Sequence, residues 1–260
     1  YMQIFVKRLF PFSPERGSQP GRFRQKERTG PQWTKTGLDF PFKTNYAKGG
    51  NIFIKSFLKF FTIMKKNLYI FRHGQTDFNL HNIWQGCQCN PDLNETGRRQ
   101  AYELGQKLLP LNLEVIYASP LKRALQTAEI AAGQMKPTPK IEIIPNLREG
   151  NFGLAEGSRI GKLMRDCPEL TEQIVNPTKE TWDKAFPGHD SESKHQIFDR
   201  VIGALGEIVL YPGDNIGISA HGGVLSALAC GLELSDVDCE NCAVLHLTYD
   251  RVARTCAGAE

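Results

Sequence analysis

The chain has 260 residues and a mass of 29.2 kDa, enough for one large domain or two small ones with an ample core. Its 40% hydrophobic and 23% charged residues exclude a wholly disordered, collagen-like or membrane-bundle chain. The net charge of +4 averages two unlike pieces: residues 1–63 carry 12 Lys+Arg against 3 Asp+Glu, and residues 64–260 carry 20 against 25, so a basic polyanion-binding protein does not describe the main body.

Residues 1–63 hold 10 of the 15 phenylalanines and five prolines, with no helical or strand period, and so lack an evident way to build a core. We expect a basic, poorly ordered N-terminal extension there; an organelle-targeting or nucleic-acid-binding arm is the sharper alternative for so Arg-rich and acid-poor a segment. Met64 directly precedes the first strong strand, so the second region is taken as 64–260. No apolar run follows Lys7 and Arg8 as a secretory signal would require. Ile52–Met64 is too short, and interrupted by Lys55 and Lys59, for the ~20 residues of a spanning helix. The uncharged run Asn215–Leu232 suits a buried strand, a turn and a helix. All seven cysteines follow residue 64, and the odd number reads as reduced thiols in a cytoplasmic protein. Cys87-x-Cys89 and Cys239-x-x-Cys242 lack partners in a familiar zinc pattern, so no metal is expected.

From residue 67 the pattern is regular. Asn67–Phe71 reads as a strand and Thr96–Leu109 as a helix, with Ala101, Leu104 and Leu108 at spacings of three and four. Val115–Ala118 is a second strand, Pro120–Ala132 a second helix and Ile141–Ile144 a third strand. Ser193–Leu210 is a long helix opened by a capping box of Ser193 and Gln196. Ile216–Ala220 is a fourth strand, Gly223–Cys230 a helix and Ala243–Thr248 a closing strand. Alternating strands and helices predict an α/β fold: a mostly parallel central sheet with helices on both faces, a Rossmann-like three-layer arrangement.

In such a sheet ligands bind beyond the carboxyl ends of the strands. Those positions hold Arg72-His73-Gly74-Gln75-Thr76 with Asn79, then Ser119-Pro120-Leu121-Lys122-Arg123, then Leu147-Arg148-Glu149, then His221-Gly222-Gly223. Two histidines, two arginines and a glutamate thus converge on one rim, and these types suit phosphate chemistry. Arg72 and Arg123 can fork onto phosphate oxygens. Ser119 is expected to cap a helix starting at Pro120, with Arg123 in its first turn, and His221 immediately precedes another helix. Gly74 permits close backbone approach. His81, His189, His195 and His246 lack such company and read as surface or packing residues; Arg98, Arg99 and Arg148 read as solvated or ion-paired.

These blocks, with Gln85-Gly86, the continuation Ala124-Leu125-Gln126-Thr127-Ala128 and Gly150-Asn151-Phe152-Gly153, resemble the signature of the histidine phosphatase superfamily, the phosphoglycerate mutase-like proteins. Four ordered blocks across 67–249 carry the resemblance, which says nothing of residues 1–63. It implies a phosphoglycerate mutase-like fold and a covalent phosphohistidine: His73 as nucleophile, Arg72, Arg123 and His221 on the transferring phosphoryl oxygens, and Glu149 as acid and then base. Gly74, Gln75, Thr76, Asn79, Gln85, Gly86 and Gly222 complete the implied substrate site. The scheme calls on no metal and no cofactor.

Ala155-Glu156-Gly157 stands where many relatives have Trp-Glu-Gly, so one aromatic wall is expected to be missing. Phe186-Pro187-Gly188-His189-Asp190-Ser191-Glu192-Ser193 replaces a shorter Pro-Gly-Gly-Glu-Ser, so that loop is expected to be rearranged. The stretch after Glu149 is short for the insertion typical of mutases. The resemblance therefore favours a phosphomonoesterase acting on a phosphorylated small molecule, as a monomer or homodimer, with neither a membrane nor a nucleic-acid partner. A cofactor-dependent phosphoglycerate mutase and a catalytically silent phospho-ligand-binding protein are the alternatives.

Overall fold

The computed structural model describes residues 2–8, 36–38 and 64–251. The long strand β3 (Met64–Arg72) lies at the middle of the sheet. On one side it pairs in parallel with β6 (Asn215–Ala220), which pairs in parallel with β4 (Val115–Ala118), which pairs in parallel with the edge strand β5 (Lys140–Ile143). On its other side β7 (Val244–Arg251) runs antiparallel to it. Beyond β7 the order continues with β1 (Met2–Arg8) and β2 (Thr36–Leu38), both antiparallel to their neighbours. The sequence pattern shows no strand in residues 1–63, yet two short ones lie there; a backbone ladder along the free edge of β7 makes no demand on side-chain alternation. The rest of the extension, and residues 252–260, lie outside the described residues.

Side chains along β3 alternate between two cores. Leu68 and Ile70 face a cluster with Ile216, Ile218, Ile197 and Leu225, while Tyr69 and Phe71 face one with Ile116, Ala118, Leu104 and Leu108. A strand buried on both faces has no polar phase, which is why these segments read as continuous apolar runs. The second cluster is closed by α2 (Glu95–Leu108) and α3 (Lys122–Ala132), packed so closely that a Cβ on Gly105 would meet the Ala131 carbonyl. The first is closed by α6 (Lys194–Ile208) and α7 (Gly222–Gly231). The result is the three-layer α/β fold expected from the sequence.

The predicted boundaries hold to within three residues, and the Ser193–Gln196 capping box is formed. Three short helices escape the pattern: α1 (Asp77–Leu80), α4 (Ile160–Asp166) and α5 (Pro168–Val175). Too few turns are present for a period to emerge. The start of α3 is a correction. Leu121, with extended backbone, is its N-cap, so Ser119 caps nothing and Pro120 precedes the helix. Ser119 Oγ instead accepts the Leu121 N–H in a local turn, 3.2 Å away, while Arg123 still falls in the first turn. No helix among the described residues is long and apolar enough to cross a membrane.

Candidate active site

His73 follows β3, and His221 follows the neighbouring β6, so two adjacent parallel strands deliver two imidazoles with ring centroids 5.3 Å apart. Both rings are buried. The proton positions on His73 follow from its partners. Nδ1 lies 2.7 Å from the Gly74 carbonyl oxygen, which can only accept, so Nδ1 carries the proton. Nε2 receives the Arg123 Nε–H at 3.1 Å, so Nε2 carries a lone pair. Burial first, then the charges of Arg123 and Arg72, hold the pKa of His73 well below 6.5. His73 is therefore a neutral imidazole with its unprotonated nitrogen turned toward an arginine.

Arg123 is fully buried, and its guanidinium also donates to the Cys89 carbonyl (2.9 Å) and the Gly86 carbonyl (3.1 Å). Burial pulls its pKa down to about 10 despite the opposing field of Glu149, which leaves it a cation at neutral pH. Arg72 donates from Nη1 to the Cys239 carbonyl at 2.6 Å, whereas its buried Nε has no partner. His221 is the N-cap of α7, and its Nε2 lies 2.7 Å from Ser119 Oγ. That hydroxyl accepts the Leu121 N–H and can give its own hydrogen to Nε2, the arrangement in which Nδ1 is the protonated nitrogen. His221 Nδ1 is buried without a partner. Burial, then Arg123 and His73, hold this ring neutral as well.

Glu149 follows β5 through the 3₁₀ turn Pro145–Leu147. Its two oxygens accept the Gly150 N–H (2.9 Å) and the Gly223 N–H (3.0 Å), the latter in the first turn of α7. A carboxylate at a helix N-terminus answers amides that have no partner within the helix. A Cβ on Gly223 would overlap that carboxylate. Glycine at 223 therefore admits Glu149 to the rim, a role the sequence pattern did not assign.

A cavity of about 630 Å³ opens on this rim and is lined by six of the predicted site residues: Arg72, His73, Asn79, Gln85, Glu149 and Gly222. Arg123 and His221 adjoin it through His73. The remaining predicted residues build its frame. Gly74 packs backbone to backbone against Gly97 of α2, too close for a side chain on either, and its N–H donates to Thr127 Oγ1. Gln75 faces α2, with its N–H on Gln100 and its side-chain oxygen on Asn94. Thr76 forms a capping box with Asn79 and donates to Gln85 Oε1 at 2.9 Å. Gly86 supplies its carbonyl to Arg123. Asn241, absent from the sequence-based site, donates to the His73 carbonyl at 2.9 Å.

The cavity continues past the rim between Trp84, Phe152, Ile174, Leu234 and Val237, with Lys194 among them. Trp84 stands edge-on to Phe152 and Phe186 at 5.4 and 5.2 Å, so aromatic side chains line the cavity although Ala155 is small and buried in the core. Glu156 clamps the surrounding loops by accepting the Gln88, Cys89 and Phe152 N–H groups. The extended loop 186–193 is tied down by Glu192, which pairs with Arg148 and Arg200. Six cysteines among the described residues are unpaired thiols. His195 stacks on Trp182 and pairs with Asp183; His246 stacks on Tyr69.

The architecture, strand ends presenting histidine and arginine on the mostly parallel five strands β3 to β7, is that of phosphoglycerate mutase-like structures. The chain belongs to the histidine phosphatase superfamily (branch 1), whose family model matches residues 68–258. The Bacillus subtilis protein named uncharacterized phosphatase PhoE is 31% identical over 184 residues, covering 70% of this chain and 84% of that protein. The phosphoglycerate mutase structure from Bacillus anthracis aligns with a TM-score of 0.64 at 25% identity, covering 73% of this chain and 92% of that one. The mycobacterial glucosyl-3-phosphoglycerate phosphatase, in complex with VO3, aligns with a TM-score of 0.57 at 26% identity, covering 64% and 81%.

Proposed function

We propose that this chain is a phosphomonoesterase that hydrolyses a phosphorylated small molecule through a covalent phosphohistidine on His73 Nε2. The observation that carries the reading is the His73 proton arrangement. Nδ1–H is fixed on the Gly74 carbonyl, and the Nε2 lone pair is held beside cationic Arg123. When phosphoryl oxygens take the Arg123 Nε–H, the lone pair is released for in-line attack. The unpartnered Arg72 Nε and His221 Nδ1 supply further donors for oxygens that gain charge in the transition state. Amides at the start of α7 add to them.

In the first step the Nε2–P bond forms and the ester P–O bond breaks, with Glu149 giving its proton to the departing oxygen. In the second, Glu149 takes a proton from water as the water oxygen attacks phosphorus. The P–N bond then breaks, releasing inorganic phosphate and restoring neutral His73. The two arginines supply the positive charge in both steps. The phosphatase name of the Bacillus subtilis relative, and the VO3 complex of the mycobacterial one, support hydrolysis and a pocket for a five-coordinate phosphorus mimic.

Rapid quench into alkaline detergent during turnover of phenyl phosphate tests the scheme. Wild type should yield an acid-labile, base-stable phosphoprotein, and His73→Ala neither phosphoprotein nor turnover, a loss on the order of 10⁴-fold or more. Vanadate should compete with substrate. Turnover without phosphoprotein, or transfer to an added hydroxy acid faster than to water, would overturn the proposal.

A further inference from the structure

Lys194 occupies the first position of α6, directly after the capping residue Ser193, and the residue is only about 5% exposed. The sequence reading assigned it nothing. Among the described residues its ammonium makes no hydrogen bond and no ion pair; the Phe152 ring lies 5.6 Å away. It lines the same cavity as His73 and Glu149, on the apolar side beyond the rim.

An ammonium on so little-exposed a residue, with no protein acceptor among the described residues, is poorly solvated. Glu149 opposes part of that penalty through its field. Its two oxygens, however, are already engaged by the Gly150 and Gly223 amides, and neither forms an ion pair with Lys194. All three N–H donors of Lys194 therefore remain for a ligand. Transferring phosphoryl oxygens have their own donors at Arg72, Arg123 and His221. The ammonium is thus left for whatever is attached to phosphorus. Trp84 and Phe152 line the same cavity and offer surfaces for a carbon skeleton. In such low-dielectric surroundings an ammonium selects an anion strongly.

We infer that Lys194 is a specificity-determining residue that pairs with a second acidic group, carboxylate or phosphate, carried by the leaving group of the substrate. The inference rests on the phosphomonoesterase reading above. The preferred substrates are then phosphate monoesters of acidic alcohols, with the two charges separated by a short carbon chain.

Three probe series with three-, four- and five-carbon chains decide it: ω-phosphooxy carboxylates, α,ω-bisphosphates and the corresponding ω-hydroxyalkyl phosphates, with phenyl phosphate as reference. For wild type, kcat/KM for an acidic probe over its neutral counterpart should exceed about tenfold at one chain length or more, as expected for a charge-assisted hydrogen bond. Carboxylate and bisphosphate series separate the two possible acidic groups. In Lys194→Met the ratio should collapse to within about threefold of one, and in Lys194→Arg it should persist. A wild-type ratio near one at every length overturns the inference without recourse to any variant. So does an unchanged ratio in Lys194→Met, even if both probes are slowed. Phenyl phosphate hydrolysis with no acidic preference leaves the phosphomonoesterase reading standing and removes this one. Inert phenyl phosphate removes both.

Discussion

Two polar clusters lie close together in this molecule, and they differ in whether their donors are used. Around Glu192, Arg200 donates to both carboxylate oxygens and to the Asn146 and Arg148 carbonyls, while Arg148 donates to Glu192 and to the Glu149 carbonyl. That cluster fixes two loops. Around His73, by contrast, Arg72 Nε and His221 Nδ1 are buried without partners among the described residues, and Lys194 has no acceptor among them. Burying an unpaired donor is unfavourable, so such groups persist only where a ligand answers them. Used and unused donors therefore separate the frame from the site more sharply than charge or burial does.

The largest effect expected after loss of His73 itself is at Glu149. Glu149→Gln keeps the shape of the side chain and one of its two amide contacts, since its NH2 cannot accept the other N–H, and removes the proton donor. An alkyl phosphate expels a poor leaving group, so kcat/KM should fall on the order of 10²–10⁴-fold. A 4-nitrophenyl phosphate needs little protonation, so its first step should suffer far less, with phosphoenzyme hydrolysis becoming slow and a burst of nitrophenol visible on rapid mixing. Equal losses on both substrates would remove Glu149 from the acid role. Glu156, which clamps three backbone amides, is not placed to replace it.

The saturated cluster should show its worth in stability. Arg200 and Arg148 beside Glu192 hold its carboxyl at about 2 rather than 4.5, against the opposing effect of burial. A folded-state value depressed in this way contributes stability above pH 4.5, and that contribution is lost as pH falls from about 4.5 to about 2. Allowing for solvent screening of a partly exposed group, this amounts to about 2 kcal/mol. Glu192→Gln should lower stability by a similar amount at pH 7 in urea titrations and flatten its acid dependence in that window. An unchanged midpoint would place the cluster among inconsequential surface pairs.

The two imidazoles give a pH test of the unsaturated cluster. Their pKa values are lowered, so the folded protein binds no proton there as pH drops below 6.5 while the unfolded chain does. Each ring thus costs stability progressively below pH 6.5. The NMR signals of His73 and His221 should remain those of neutral imidazole from pH 7 to well below 6.5. Titration of either near 6.5 would contradict the buried, arginine-flanked geometry. Ser119→Ala should free the His221 ring to change tautomer and lower kcat/KM about tenfold, the equivalent of one hydrogen bond.

Much of the rim was legible because an α/β sheet presents ligands to the residues directly after each strand, so His73, Arg123, Glu149 and His221 lie in short contiguous motifs. The frame was less so. Asn241 supports the His73 carbonyl from 168 positions away, and Gly97 matters only because Gly74 packs on it. Gly223 stood in a quoted motif, but its role depends on an approach by Glu149 that no spacing encodes. Trp84 and Lys194 look ordinary in sequence; what distinguishes them is the cavity they share. The short helices around 160–175, which wall that cavity with Ile174, carry too few turns for a readable period.

The smallest predicted effect has the opposite sign to that of the Glu192 cluster. Replacing Lys194 by Met keeps the length of the side chain, removes a charge that has no acceptor and leaves a thioether among Phe152, Trp84 and Ile174. Exchanging a buried ion for a well-packed apolar group of similar volume is stabilising in other folds by about 1–4 kcal/mol. Here Glu149 loses a favourable field at the same time, so the lower end, about 1 kcal/mol, is expected. Thermal unfolding without ligand should show Lys194→Met a few degrees above wild type. Adding an acidic phosphate monoester should raise the wild-type midpoint by more than the variant's, because only the wild type holds the second charge. A drop in the ligand-free midpoint would mean that Lys194 belongs with the used donors of the frame, and the division drawn between the two clusters would then fail at its most exposed point.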